Sequence, residues 1–147
     1  MKLYPYLQLN GNASEAVAFY QKVFQAENLG VITFGEMPQD PDHPLPEEVK
    51  DLVAHAALKI GDSLLMFSDA FPDEPVQEGN NVTICIFFHD EETARKTFAA
   101  LQEGGEVKMP LTETSFSPAY GVIKDQFGVI FQFYTERDEE YEMLRFE

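Results

Sequence analysis

Apolar residues recur at helical spacing in two places along the chain. Ala16, Tyr20, Val23 and Phe24 fall on one face of a segment that opens at Asn12, and Ala94, Phe98 and Leu101 fall on one face of a segment that opens at Asp90. Asn12 suits a helix N-cap, and Glu15 three positions on completes the pattern of a capping box. Asp90 is the expected N-cap of the second helix. Gly104 and Gly105 stop that helix, since glycine accepts the left-handed backbone on which helices end. A short strand-like stretch precedes each helix, YLQL before the first and ICIFF before the second. Strand material follows each: NLGVITFGEM, LVAHAALKI and SLLMFSD after the first, EVKMPLTET, AYGVIKD and GVIFQFYTE after the second. Gly61–Asp62 and the stretch DQFG supply the turns of two hairpins at corresponding places.

The two halves therefore read as one plan written twice. Asn12 and Asp90, Ala16 and Ala94, and Tyr20 and Phe98 are each 78 positions apart, whereas Leu64 and Ile130, and Phe67 and Phe133, are 66 apart. The difference predicts about 12 extra residues between helix and hairpin in the first copy, and GEMPQDPDHPLPEE, with four prolines and no apolar period, supplies them as a loop. The expected organisation is a first βαβββ module over 1–70, a linker over 71–80, a second βαβββ module over 81–135 and an acidic tail over 136–147. The fold class is α+β: two paired βαβββ modules, helices on the outer faces, with a cleft between curved mixed sheets. A ferredoxin-like split βαβ plan would need a second helix in each copy, and none is visible.

Composition narrows the functional classes. A chain of 147 residues that is 44% hydrophobic and holds 13 Phe is large enough to bury about 70% of its unfolded surface. Cys85 is the one cysteine, so no internal disulfide is available, which suits a reducing compartment. No segment approaches transmembrane length, and the opening residues carry no apolar run of signal-peptide length. A cytoplasmic protein is expected. The 26 acidic residues outnumber 10 basic ones, for a net charge of −16; such a surface repels phosphate backbones and anionic lipid, so neither nucleic acid nor membrane is an expected partner. The acids gather in loops, at a helix start and in the tail, as a solvated face would. No glycine-rich phosphate loop, nucleophile elbow or methyltransferase-type glycine loop is present.

The stretches NGNASEAVAFYQKVF, HAALKIGDSLLMFSD and AYGVIKDQFGVIFQFY resemble the PhnB-like branch of the vicinal oxygen chelate superfamily, which includes glyoxalase I and the bleomycin and fosfomycin resistance proteins. The resemblance runs from the first strand to about Thr135. It implies the glyoxalase/bleomycin resistance-like fold, a homodimer, and a cleft that in many members holds a divalent metal on His, Glu or Gln ligands from the first and last strands of each module. Carried onto this chain, those positions fall at Pro5 or Tyr6, at Met66 or Phe67, at Thr83 and at Gln132. Of these only Gln132 is a plausible ligand, and one neutral amide does not hold a divalent ion against water. The expectation is therefore no metal and no cofactor. His43, His55 and His89 match no ligand spacing.

Candidate cleft residues follow from strand alternation. On the first strand Tyr4, Tyr6 and Gln8 share a face opposite Leu3, Leu7 and Leu9, which suit the helix-covered core. Thr83, Cys85 and Phe87 share a face of the second module's first strand. Cys85 reads either as core filler or as a cleft residue, since nothing local activates it as a nucleophile. Gln132 stands among Phe131, Phe133 and Tyr134, where an amide must find partners or face a cleft. His55 and Tyr120 lie on strands able to line the same space and could move a proton at neutral pH if brought together. The expected function is metal-free binding of a small, partly aromatic or amide-bearing molecule. The alternatives are a metal-dependent lyase or isomerase of glyoxalase type using a rearranged site, and a plain interaction module.

Overall fold

The chain alternates strand, helix and three strands, and then repeats the series. The computed structural model describes residues 1–137, so the expected tail lies, from residue 138 on, outside the described residues. The elements are β1 (Tyr6–Leu9), α1 (Ala13–Phe24), β2 (Glu27–Thr33), β3 (Val53–Ile60), β4 (Ser63–Asp69), β5 (Ile84–Phe88), α2 (Glu91–Leu101), β6 (Glu106–Thr112), β7 (Tyr120–Lys124) and β8 (Ile130–Thr135). Two 3-10 turns, Phe34–Glu36 and Glu47–Val49, bracket the proline-rich excursion between β2 and β3. The chain divides into two compact units, Met1–Gln77 and a second that begins at Glu78. No helix among the described residues is long and apolar enough to cross a membrane.

Each unit is one four-stranded mixed sheet with one helix. The orders are β1-β4-β3-β2 and β5-β8-β7-β6, with the first pair of each parallel and the rest antiparallel. The α1 stripe buries Ala16, Val17, Tyr20 and Val23, and Tyr20 stacks on Phe67 of β4 with ring centroids 5.8 Å apart. In the second unit α2 buries Ala94, Phe98 and Leu101, and Phe98 meets Phe133 of β8 edge-on at 5.0 Å. Full burial of each such ring stabilises the fold by about 1.5–3 kcal/mol. Leu7 and Leu9 point to the helix side as alternation requires, but Leu3 precedes β1 and is 94% exposed. It has no strand partner to carry it into the core.

The helix starts differ in a way the sequence does not reveal. Asn12 stands at the α1 N-cap without a side-chain hydrogen bond, so the expected capping box does not form. A carboxylate from the far end of β4 takes its place. Asp69 Oδ1 accepts from the backbone N–H of Gly11 at 3.0 Å and of Ala13 at 2.9 Å, and Oδ2 accepts from the N–H of Val53 at 2.9 Å. A charged, buried acceptor bound to three donors displaces the weaker neutral amide of Asn12. At α2 the expected cap is present: Asp90 Oδ1 accepts from Thr93 N at 2.8 Å. That backbone bond, followed by one from the Thr93 hydroxyl, holds the Asp90 pKa below its ordinary value. A lowered folded pKa means the cap stabilises at neutral pH, and the contribution fades as pH falls below about 4 and through the lowered value. The Asp90→Ala protein is expected to be less stable than the parent at pH 7. The gap should close in acid, as chemical denaturation at a series of pH values would record.

Register fixes how the copies correspond. The helices match at 78 positions and the final hairpins at 66, but Tyr6 lies opposite Met66 and Cys85 opposite Gln132. Tyr6 and Cys85 are therefore the equivalent residues, 79 positions apart, because the second unit has one residue fewer between its first strand and its helix. Thr83, expected at the family's ligand position, instead precedes β5.

Candidate functional site

Each sheet has a face turned away from its helix, and alternation decides which side chains it carries. In the first unit β1 places Tyr6 and Gln8 there, and β3 places His55. The Tyr6 hydroxyl lies 3.0 Å from His55 Nδ1, with the rings tilted at 39° and their centroids 5.7 Å apart. Both side chains are exposed. Three of the expected site residues thus share one face of the first sheet.

Four others share the corresponding face of the second sheet. Tyr120 opens β7, Gln132 is at the middle of β8, Cys85 lies opposite Gln132 on β5, and Thr83 leads into that strand. The Tyr120 hydroxyl donates to Gln132 Oε1 at 2.6 Å, and Gln132 Nε2 donates to Thr83 Oγ1 at 2.8 Å. In this arrangement the amide oxygen faces Tyr120 and the amide nitrogen faces Thr83. The Thr83 hydroxyl, having accepted, keeps its own proton to give away, and the second Nε2 hydrogen of Gln132 is likewise a donor. His55 and Tyr120 belong to different units, each engaged with a partner of its own: Tyr6 for His55, Gln132 for Tyr120.

An aromatic array borders the polar chain. Phe87 of β5 stacks on Tyr134 at 5.8 Å, and Phe116, from the segment before β7, lies parallel to Tyr134 at 6.1 Å and edge-on to Tyr120 at 4.9 Å. The Tyr134 hydroxyl donates to the Phe116 carbonyl at 3.1 Å, which ties that segment to the sheet. Sequence reasoning missed Phe116 and Tyr134. Phe116 stands outside any periodic stretch, and among 13 phenylalanines an exposed one carries no mark. The alternation of β8 would have placed Tyr134 on the face of Gln132.

Electrostatics keep this face neutral. Cys85 is exposed at the sheet surface rather than packed in the core, yet partial burial raises its thiol pKa. Tyr120 is pushed up by burial first and by Cys85 second. Both stay protonated at neutral pH, so the face offers a thiol and a phenol, not a thiolate nucleophile.

The resemblance implies ligand positions at Pro5 or Tyr6, at Met66 or Phe67, at Thr83 and at Gln132; in the structure Tyr6 lies opposite Met66, and Gln132 lies opposite Cys85. A phenol beside a thioether, and a thiol of raised pKa beside an amide hydrogen-bonded at both ends, do not suit a divalent ion that selects carboxylate and imidazole. Among the described residues no three of His, Cys, Asp and Glu gather to hold a metal. The residues present do not fit the family's metal.

Comparison with known proteins gives one consistent result. The family model for the glyoxalase/bleomycin resistance protein/dioxygenase superfamily matches residues 3–133. Protein YjdN of Escherichia coli strain K12 is 35% identical over 135 residues, which cover 88% of this chain and 91% of that protein. The crystal structure of protein PA1353 from Pseudomonas aeruginosa is 33% identical, with a TM-score of 0.83 over 94% of this chain and 99% of that one. The PhnB protein of Bacillus cereus shares the fold at 24% identity and a TM-score of 0.74, over 92% of this chain and all of that one.

Proposed function

The chain belongs to the glyoxalase/bleomycin resistance protein/dioxygenase superfamily, and we propose that within it the protein binds a small, flat, partly aromatic or amide-bearing molecule without a divalent metal. The observation that carries this reading is the hydrogen-bonded run Tyr120–Gln132–Thr83 beside the rings of Phe87, Tyr134 and Phe116. A planar ligand laid along that face would stack on exposed ring surface, while the Thr83 hydroxyl and the Gln132 amide donate to its carbonyl or ring acceptors. The metal-dependent reactions of the superfamily need an ion to polarise oxygens and a base to move a proton. Neither role has a suitable group on this face: its amide is held at both ends, and its thiol and phenol are both protonated at neutral pH.

The test uses protein dialysed against chelator. Aromatic amides such as benzamide and nicotinamide, screened by thermal shift, are expected to raise the melting temperature in a saturable way. Elemental analysis of the same sample is expected to show far less than one divalent ion per chain. A stoichiometric metal surviving dialysis, or a ligand that binds only when metal is restored, would overturn the proposal.

A further inference from the structure

The face of the first sheet holds a polar group that no other described residue engages. Ser68 is on β4, on the side away from α1, directly opposite Gln8 of β1. The β3–β4 register, which pairs Ala56 with Phe67 and Ala57 with Met66, brings His55 beside it on the other flank. Ser68 is only 7% exposed, sunk between the two longer side chains, yet no hydrogen bond to another described residue engages its hydroxyl. Buried hydroxyls are nearly always paired, so one left without a partner among the described residues, between two polar neighbours, is a place for a ligand to bind.

The neighbours are arranged as donors. The Tyr6 hydroxyl and His55 Nδ1 are 3.0 Å apart, and a phenol, a stronger acid than a neutral imidazole N–H, is the expected donor between them. With that direction a neutral ring carries its proton on Nε2. The Ser68 O–H, the His55 Nε2–H and the Gln8 amide N–H then stand on three adjacent strands, with neighbouring side-chain roots about 5 Å apart and Ser68 in the middle. No carboxylate shares their row or the next. Those rows run Gln8, Ser68, His55 and Ile32, then Tyr6, Met66, Ala57 and Gly30, in a chain that elsewhere carries 26 acids. Three donors and no local negative charge match an anion with two acceptor oxygens.

We propose that Ser68, His55 and Gln8 form a docking point for the carboxylate of a small organic acid, with Tyr6 as the positioning residue that sets the imidazole tautomer. The second unit has no counterpart: Ile130, Gln132 and Tyr134 fill this face of β8, where β4 carries Leu64, Met66 and Ser68. The docking point and the aromatic face of the second unit stand on different residues, so either reading can fail alone.

The three histidines make the test direct, because protein labelled with nitrogen-15 at histidine gives few ring signals. Titration with pyruvate is expected to move only the His55 signals, saturably, while acetone, the uncharged counterpart, moves none. Ser68→Ala and Gln8→Ala are each expected to weaken the pyruvate effect at least fivefold while leaving the melting temperature within a few degrees. In the free protein the nitrogen shifts of His55 should report the Nε2–H form, and Tyr6→Phe should bring in the other tautomer. Pyruvate shifts that are absent, spread equally over all three histidines, or unchanged in both alanine variants would overturn the proposal. A free His55 in the Nδ1–H form would also overturn it.

Discussion

Asp69→Ala is expected to cost the protein at least about 3 kcal/mol of stability in urea denaturation. One buried carboxylate, 5% exposed, serves the start of α1 through Gly11 and Ala13 and the start of β3 through Val53. Hydrogen bonds to a charged group contribute about 1.5–3 kcal/mol each, and backbone donors left buried without a partner add a penalty of their own. Alanine removes all three bonds at once and offers nothing in return. Asp69→Asn should fall between parent and alanine. Its oxygen can still serve Gly11 and Ala13, but its amide nitrogen then confronts the Val53 N–H as donor against donor. Hydrogen exchange should show the loss directly, as faster exchange of the Gly11, Ala13 and Val53 amides. An alanine variant as stable as the parent would mean that Asn12 takes over the cap, as its sequence context suggests it could.

The contrast between Asp69 and Asn12 shows where sequence reasoning stopped. Helix periodicity, the Asp90 cap and the turns at Gly61 and Asp125–Gly128 are local signals, legible because the residues that decide them lie within a few positions of each other. The α1 cap is decided by a residue more than fifty positions away, and nothing near Asn12 announces it. The same limit governed the candidate site. Alternation placed Tyr6 and Gln8 on the face of β1 turned away from α1, and Cys85 and Gln132 on one face of β5 and β8, since the period of a strand is a local property. Which of them touch depends on register. The one-residue shortening before α2 makes Cys85, not the Ile84 that the helix offset of 78 implies, the counterpart of Tyr6, and that emerges only from the pairings with Met66 and Gln132. Ser68 was passed over for a related reason. In SLLMFSD it reads as an ordinary strand-end serine, and only the flanking strands reveal that it is sunk between Gln8 and His55.

Gln132→Leu is expected to weaken binding of any aromatic amide found to bind by at least tenfold, about 1.4 kcal/mol. Leucine keeps nearly the volume of glutamine but breaks both links of the Tyr120–Gln132–Thr83 run. The Tyr120 hydroxyl and the Thr83 hydroxyl then lose the partner that orients them, and the ligand loses a donor. Stability should respond much less. Gln132 is only part-buried, so water can reach the released hydroxyls, and a leucine there suits Val122, directly opposite it on β7. A large loss of affinity with a small change in melting temperature is the signature expected of a binding residue. Tyr120→Phe breaks one link, leaves the Gln132–Thr83 bond in place, and should give a smaller loss. If Gln132→Leu instead bound the same amides unchanged, measured by isothermal titration, the polar run would be scaffolding for the sheet. The aromatic array of Phe87, Tyr134 and Phe116 alone would then have to account for recognition.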